Sequence, residues 1–291
     1  MSQVMVSLIG GASLGGIYAL IGLGLVMVFR ATATLNFAHG ELMLLPAFLV
    51  GWWQSDHTTN VGLAFVVAAL VGAVVGVMFY QLVLRRTTGL PPFMGFVATL
   101  GLASILDGVM GIAFGANSYS INIGILPQGV TTIFGARFSQ SSLVLTAFTL
   151  LLAAVVAVVM RFTTLGTRIR AAGQDAVLAS QGGIQVRRLY MGSWAVAAVL
   201  AAIAGVSYGS VNIVDASMTS LALAGFPAVL LGGLDSFEGA VAGGLIVGIV
   251  QGFTATYLGG IYLDLVTYTL LLVVLLLFPY GLLGSKRVAR V

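Results

Sequence analysis

Apolar stretches dominate the chain, separated by short polar punctuation. Met5–Phe29, Val61–Leu84, Gln140–Met160, Leu189–Val214, Gly239–Leu263 and Leu265–Ser285 contain no charged residue. Each reaches the roughly 20 residues a helix needs to cross about 30 Å of hydrocarbon. Another apolar span, 93–114, carries one carboxylate, Asp107. Two shorter segments, 42–54 and 221–234, are punctuated by Pro46 and by Gly225, Pro227, Gly232 and Gly233. Short, interrupted segments placed once in each half predict discontinuous helices beside a transport path. The simpler alternative is a tilted or membrane-dipping helix that only packs. The pattern predicts an all-α polytopic membrane protein with about eight or nine transmembrane helices. They form one transmembrane domain over 1–291, with a cytoplasmic loop at about 161–188.

Composition sharpens this. Only 7% of residues are charged, against roughly 25% in a soluble domain. The net charge of +4 reads as membrane topology rather than nucleic-acid binding, because no basic patch is interleaved with exposed aromatics. With the N-terminus outside, Arg30, Arg85, Arg86, the five arginines of 161–188, and Lys286, Arg287 and Arg290 all fall on the cytoplasmic side. Only Arg137 of the twelve basic residues falls outside. The expectation is therefore a multi-pass membrane protein with its N-terminus outside and its C-terminus cytoplasmic. The start, "MSQVMVSLIGG", has no basic n-region before a full-length apolar run, so no cleaved leader is expected. With no cysteine, disulfides and thiolate metal sites are excluded.

Glycines number 39. Gly11-xxx-Gly15, Gly72-xxx-Gly76, Gly239-xxx-Gly243 and Gly244-xxx-Gly248 place small residues on single helix faces. That spacing predicts close helix packing ahead of a substrate-lining role. The "GAxxGG" pattern of residues 11–16 recurs at 239–244, an echo of internal duplication.

Polar chemistry at membrane depth concentrates in "LNFAHGELMLL" (35–45). Asn36, His39 and Glu41 lie just beyond Arg30, where the first span turns into the short second one. They read as a polar interfacial turn, with Asn and Glu satisfying freed backbone groups and Gly40 supplying an unusual dihedral. The other readings are a gate or direct substrate contact. Asp107 is a functional candidate because a carboxylate within a span is costly; it otherwise faces a wet vestibule or caps Ser104. Asp235 and Glu238, before a helix, read as caps rather than ligands.

The loop "RFTTLGTRIRAAGQDAVLASQGGIQVRR" (161–188) predicts a helix over 167–181, stopped by Gly182-Gly183. Ile169, Ala172, Ala176 and Ala179 form a narrow apolar stripe along it. This stripe docks either onto the chain's own helices and lipid headgroups or into a partner's groove.

Three stretches together resemble a known family. "NFAHGELMLL", the Arg170-Ala-Ala…Asp175…Ala179-Ser180…Gly183-Ile184 loop, and "GFPAVLLGGLDSFEGAVAGGLIVGIVQ" (225–251) look like permease subunits of branched-chain amino-acid ABC importers. The similarity runs from about 5 to 285 and is greatest to the shorter of the two paired permeases. It implies a type II importer-like fold and a second permease subunit as heterodimer partner. It also implies two ATPase subunits carrying the ATP, and a periplasmic or lipid-anchored binding protein that selects the solute. By resemblance, Arg170, Asp175, Ala176, Ala179, Gly182, Gly183 and Ile184 form the region that couples to the ATPase. Pathway or gate candidates are Asn36, His39, Glu41 and Asp107.

The chain's own chemistry agrees with a non-catalytic subunit that binds no cofactor itself. Its only lysine, Lys286, sits in no phosphate-cradling G-x-x-x-x-G-K-[ST] motif. It has no HExxH and no plausible Ser/His/Asp triad, and with His39 and His57 as the only histidines a metal site is not expected. Rival readings are the same architecture serving urea, an amide or a sugar, and a proton-coupled secondary transporter using Glu41, His39 or Asp107.

Overall fold

The computed structural model describes residues 2–56, 60–87 and 91–284. His57 and the basic cluster Lys286, Arg287 and Arg290 lie outside the described residues. Helices follow the apolar runs: α1 (Ser2–Thr32), α2 (His39–Asp56) and α3 (Val61–Phe79). A π-helical turn at Tyr80–Leu84 carries α3 into the single turn α4 (Arg85–Thr87), followed by α5 (Pro92–Phe114). Beyond a hairpin come α6 (Gln140–Phe162), α7 (Thr164–Gln174), α8 (Ala176–Gln181) and α9 (Val186–Gly209). The last are α10 (Met218–Gly232), α11 (Phe237–Tyr257) and, after a 3₁₀ turn, α12 (Leu263–Leu277). Among the described residues, seven helical spans are long and apolar enough to cross a membrane, and α10 is a shorter apolar helix. Among the described residues the helices are joined by one β-hairpin and otherwise by turns and loops.

Three expectations need correction. The segments around Pro46 and Pro227 are not broken, since each proline lies inside a continuous helix. With 18 residues, α2 is about 27 Å long, and neither it nor the 15-residue α10 is among the seven spans. The last apolar run does not continue to 284. Pro279 has no N–H and disfavours helix in the residue before it, and α12 stops at Leu277. A β-hairpin also stands in the 115–139 connection. Strands β1 (Val130–Ile133) and β2 (Ala136–Ser139) pair antiparallel. Phe134 and Gly135 between them both have positive φ, 49° and 82°, as a two-residue hairpin turn of right twist requires.

The chain forms two compact units, one of Met1–Val26, Pro127–Ala157 and Ala224–Val291, the other of Met27–Leu126 and Val158–Leu223. In the first, α1 and α11 meet through glycines. A Cβ added at Gly11 would lie 2.7 Å from Ile249 Cα, and one at Gly244 would lie 2.6 Å from Ala19 N. Two of the GxxxG motifs are thus halves of one seam. Gln251 ties three helices together beside it: Tyr18 Oη donates to Gln251 Oε1 (2.7 Å), and Gln251 Nε2 donates to Thr267 Oγ1 (2.9 Å). The α11 N-cap is Ser236, whose Oγ accepts from Gly239 N (2.9 Å). Glu238 sits in the first turn, favourable to the helix dipole. Past α12 the chain returns to α10, where Leu282 N and Leu283 N donate to the Leu231 and Gly232 carbonyls at 2.8 and 2.9 Å.

In the second unit α9 packs on α2 and α3. Gly76 lets α3 approach the backbone of α9 at Trp194, where a Cβ would lie 2.9 Å from the carbonyl oxygen. Trp194 is fully buried, its ring 5.3 Å from that of Phe79. The Pro46 ring packs over Gly72. Tyr119 and Val214 exchange backbone hydrogen bonds of 3.0 and 2.8 Å. Gln54 clasps Asn122 from both sides, donating to its carbonyl (2.7 Å) and accepting from its N–H (3.0 Å).

Candidate functional site: a docked loop and a buried polar turn

The loop after α6 is two helices, not the single one expected over 167–181. Asp175 is extended (φ −152°, ψ 107°), and its Oδ1 accepts from Val177 N and Leu178 N, both at 2.9 Å. An aspartate favours this N-cap over a helix interior, so the chain restarts there as α8. The predicted stop at Gly182-Gly183 is present as a Schellman turn. Ile184 N donates to Ala179 O and Gly183 N to Ser180 O, both at 3.0 Å, with Gly183 at φ +83°.

The apolar stripe faces the chain's own second unit, and Ile169, Ala172 and Ala179 are buried, with Ala176 half-buried. Several contacts fix α7. Arg170 Nη1 donates to Met160 O (2.7 Å), while its Nη2 donates to Arg161 O (3.3 Å) and Thr167 Oγ1 (3.1 Å). A cation on these carbonyls completes the C-terminal end of α6. Tyr190 Oη donates to Ala172 O (3.0 Å), and Gly173 lies against the Arg30 carbonyl. Arg170 and Asp175 are therefore engaged within the chain. The apolar side chains that α8 presents outward are Val177, 65% exposed, and Leu178, 64% exposed. Sequence reasoning passed over this pair because it looked for one stripe. Two large apolar residues in an otherwise small and polar helix were the available signal.

The turn into α2 gathers the other candidates. After α1 ends, Ala33 takes the positive φ of 53°. Gly40 is helical, and its role is close approach: a Cβ there would lie 3.1 Å from Thr219 O and 3.3 Å from Ala222 Cβ. Asn36 Oδ1 accepts from Ala38 N (3.1 Å), and Phe37 N donates to Thr99 Oγ1 (3.3 Å). Asn36 and His39 are completely buried. Asn36 Nδ2, both His39 ring nitrogens and Glu41 Oε2 have no hydrogen-bond partner among the described residues. Several buried polar atoms without partners in one turn mark a place where polar chemistry is retained at a cost.

Asp107 lies on α5, which packs against α2. It is exposed, and Ser104 Oγ donates to Leu100 O (3.2 Å) rather than to it. Beside it on α5, Gly101, Gly108 and Gly111, unlike the packing glycines, have open space where a Cβ would be. They too were missed, since they fit no GxxxG spacing.

The model of a family described as "Branched-chain amino acid transport system / permease component" matches residues 7–276. The chain belongs to this family. Among its relatives is the high-affinity branched-chain amino acid transport system permease protein LivH of Escherichia coli K12. It is 30% identical over 97% of this chain and 96% of its own length. BraD of Pseudomonas aeruginosa, a permease protein of the same description, is 27% identical over 98% and 97%. The fructose import permease protein FrcC of Rhizobium meliloti is 27% identical over 75% of this chain and 62% of its own length. A solved structure, PsaBC from Streptococcus pneumoniae in complex with Fab, gives a TM-score of 0.48 at 12% identity, covering 94% of this chain and 91% of that one. As an ABC-importer permease of this family, the chain is a multi-pass membrane transport subunit and not an enzyme. Family membership sets aside the proton-coupled secondary transporter.

Proposed function

We propose that this permease carries branched-chain or related hydrophobic amino acids. It would act with a second permease subunit, two ATPase subunits and a periplasmic or lipid-anchored binding protein. The observation that supports the substrate is the end-to-end similarity to LivH and BraD, which covers nearly the whole of both chains. Similarity to FrcC favours a second reading, import of a sugar, and covers less of each chain. Residues 1–291 act as one permease domain of type II importer kind, with the N-terminus outside and the C-terminus cytoplasmic. The pathway runs beside the small-residue face of α5 and Asp107, and Asn36, His39 and Glu41 form its gate. The coupling region, Arg170–Ile184, meets the ATPase through Val177 and Leu178. Arg170, Asp175, Ala176, Ala179, Gly182, Gly183 and Ile184 fix the shape that presents them.

The test is reconstitution with the cognate ATPases and binding protein in proteoliposomes. ATP-dependent uptake of labelled leucine, isoleucine or valine, unaffected by excess fructose or urea, is the expected result. Uptake of fructose or urea without leucine uptake refutes the substrate. For coupling, Leu178→Asp should abolish substrate-stimulated ATP hydrolysis. A 64% exposed side chain changes the permease's own stability by no more than about 0.5 kcal/mol. Normal stimulation in that variant removes α8 from the coupling path.

A further inference from the structure

A cavity of about 530 Å³ opens beside α7 and α9 in the second unit. Its lining includes the exposed Arg168 and Arg188, the buried Met27 and Ser193, and Leu189 and Val196. The loop's five arginines divide sharply. Arg170 holds the end of α6, Arg187 donates to Gln81 Oε1 (2.9 Å), and Arg161 lies over the Phe162 ring at 5.4 Å. Arg168 and Arg188 have no hydrogen-bond or ion-pair partner among the described residues, and both border the cavity. Leu189, Ser193 and Val196 fall on one face of α9, a membrane span. From Arg188 to Val196 that face climbs about 12 Å along the helix. The cavity thus joins two free cations, one of them at the start of a membrane span, to a largely apolar face that runs two turns along that span.

The geometry points to a binding site for an anionic phospholipid of the cytoplasmic leaflet, its phosphate between Arg168 and Arg188 and its acyl chains along Leu189 and Val196. Charge and depth together select this occupant. A water-soluble protein can meet the arginines but cannot follow α9 to Val196, and a zwitterionic lipid supplies the chains without the net charge. Basic pockets between transmembrane helices on the cytoplasmic side have the chemistry of anionic headgroup sites. This site makes no use of the solute, so it stands or falls separately from the substrate reading; its leaflet rests on the proposed orientation, which reporter fusions test by themselves.

The experiment uses the full complex in detergent and counts bound molecules by native mass spectrometry. The probes are short-chain phosphatidylglycerol, short-chain phosphatidylcholine and glycerol 3-phosphate. Wild type should retain phosphatidylglycerol in preference to both others. Each arginine near a lipid surface contributes about a fivefold change in affinity, so Arg168→Gln with Arg188→Gln should weaken retention by about 25-fold. Both side chains are exposed, so the variant keeps its fold. Val196→Trp, which leaves both cations in place and fills the apolar wall, should also lose phosphatidylglycerol. Equal retention by wild type and the double-arginine variant overturns the site. Glycerol 3-phosphate bound as tightly as phosphatidylglycerol makes it a soluble-anion site and overturns the lipid. Loss of the ATPase subunits from the double variant with phosphatidylglycerol retention unchanged makes it a protein contact and overturns it as well.

Discussion

Gly244→Ala tests the seam between α1 and α11. The added Cβ would lie 2.6 Å from Ala19 N and 2.9 Å from Ala19 Cα, where ordinary contact begins at 3.4 Å. The helices must part by roughly 0.8 Å, the shortfall at the closer atom, because backbone cannot rotate aside as a side chain does. A gap of that order forfeits a quarter to a half of the dispersion energy of the facing atoms. The loss extends along the seam to Gly11, Gly15 and Gly248. Overpacking of this kind costs about 3 kcal/mol, the upper end of its range, and alanine's better helix propensity returns about 1. The net expectation is destabilisation by about 2 kcal/mol. Gly10→Ala is the control: it sits in α1 with nothing near its would-be Cβ, and should be neutral or stabilising by up to about 1 kcal/mol. Unfolding of the permease in mixed micelles under an SDS titration reads the difference. Equal midpoints for the two variants would refute the close approach.

Replacing Arg170 with Gln removes the cation from the Met160 and Arg161 carbonyls and should lower stability by about 1–2 kcal/mol, measured in the same titration; an unchanged midpoint would mean that α7 is held by its other contacts. Asp107→Asn should reduce uptake per folded permease while leaving the unfolding midpoint within about 0.5 kcal/mol of wild type, and unchanged uptake takes Asp107 out of the pathway. Gln251→Leu leaves the hydroxyls of Tyr18 and Thr267 short of a buried partner, at a cost of about 1–2 kcal/mol; equal stability would show that these groups re-pair. Reporter fusions after Arg86 and Gln185 should read cytoplasm and one after Asn117 periplasm, whereas reversed signals at two of the three sites overturn the orientation.

The spans were legible because length and absence of charge leave a membrane helix little freedom. Their interruptions were less so. Pro46 and Pro227 looked like breaks, yet helices in lipid absorb a proline when neighbouring groups satisfy the freed carbonyl. The hairpin could have been found from "VTTIFGARFS", a β-branched run turning at Phe-Gly. At the candidate site, the stripe Ile169–Ala172–Ala179 and the glycine stop were readable from spacing alone. The capping role of Asp175 was not given weight, although "QDAVLAS" carries an N-cap signal. Gly40 was read for its dihedral when its use is proximity to Thr219, a contact remote in sequence that no local pattern contains. The same holds for the packing of α5 against α2.

The cap at Asp175 also has a mechanical consequence. On one side of it α7 is clamped by Arg170, Gly173 and Tyr190. On the other, α8 is a stub of six residues, about 9 Å long. An extended residue between a fixed beam and a short arm behaves as a pivot. On the proposed coupling role, load at Val177 and Leu178 would turn α8 about Asp175 more readily than it would shift α7. The far end of the arm is the Schellman turn, and from Ile184 the chain enters α9 within two residues. In that role, motion of α8 would reach the base of α9 through this turn rather than through the clamped helix.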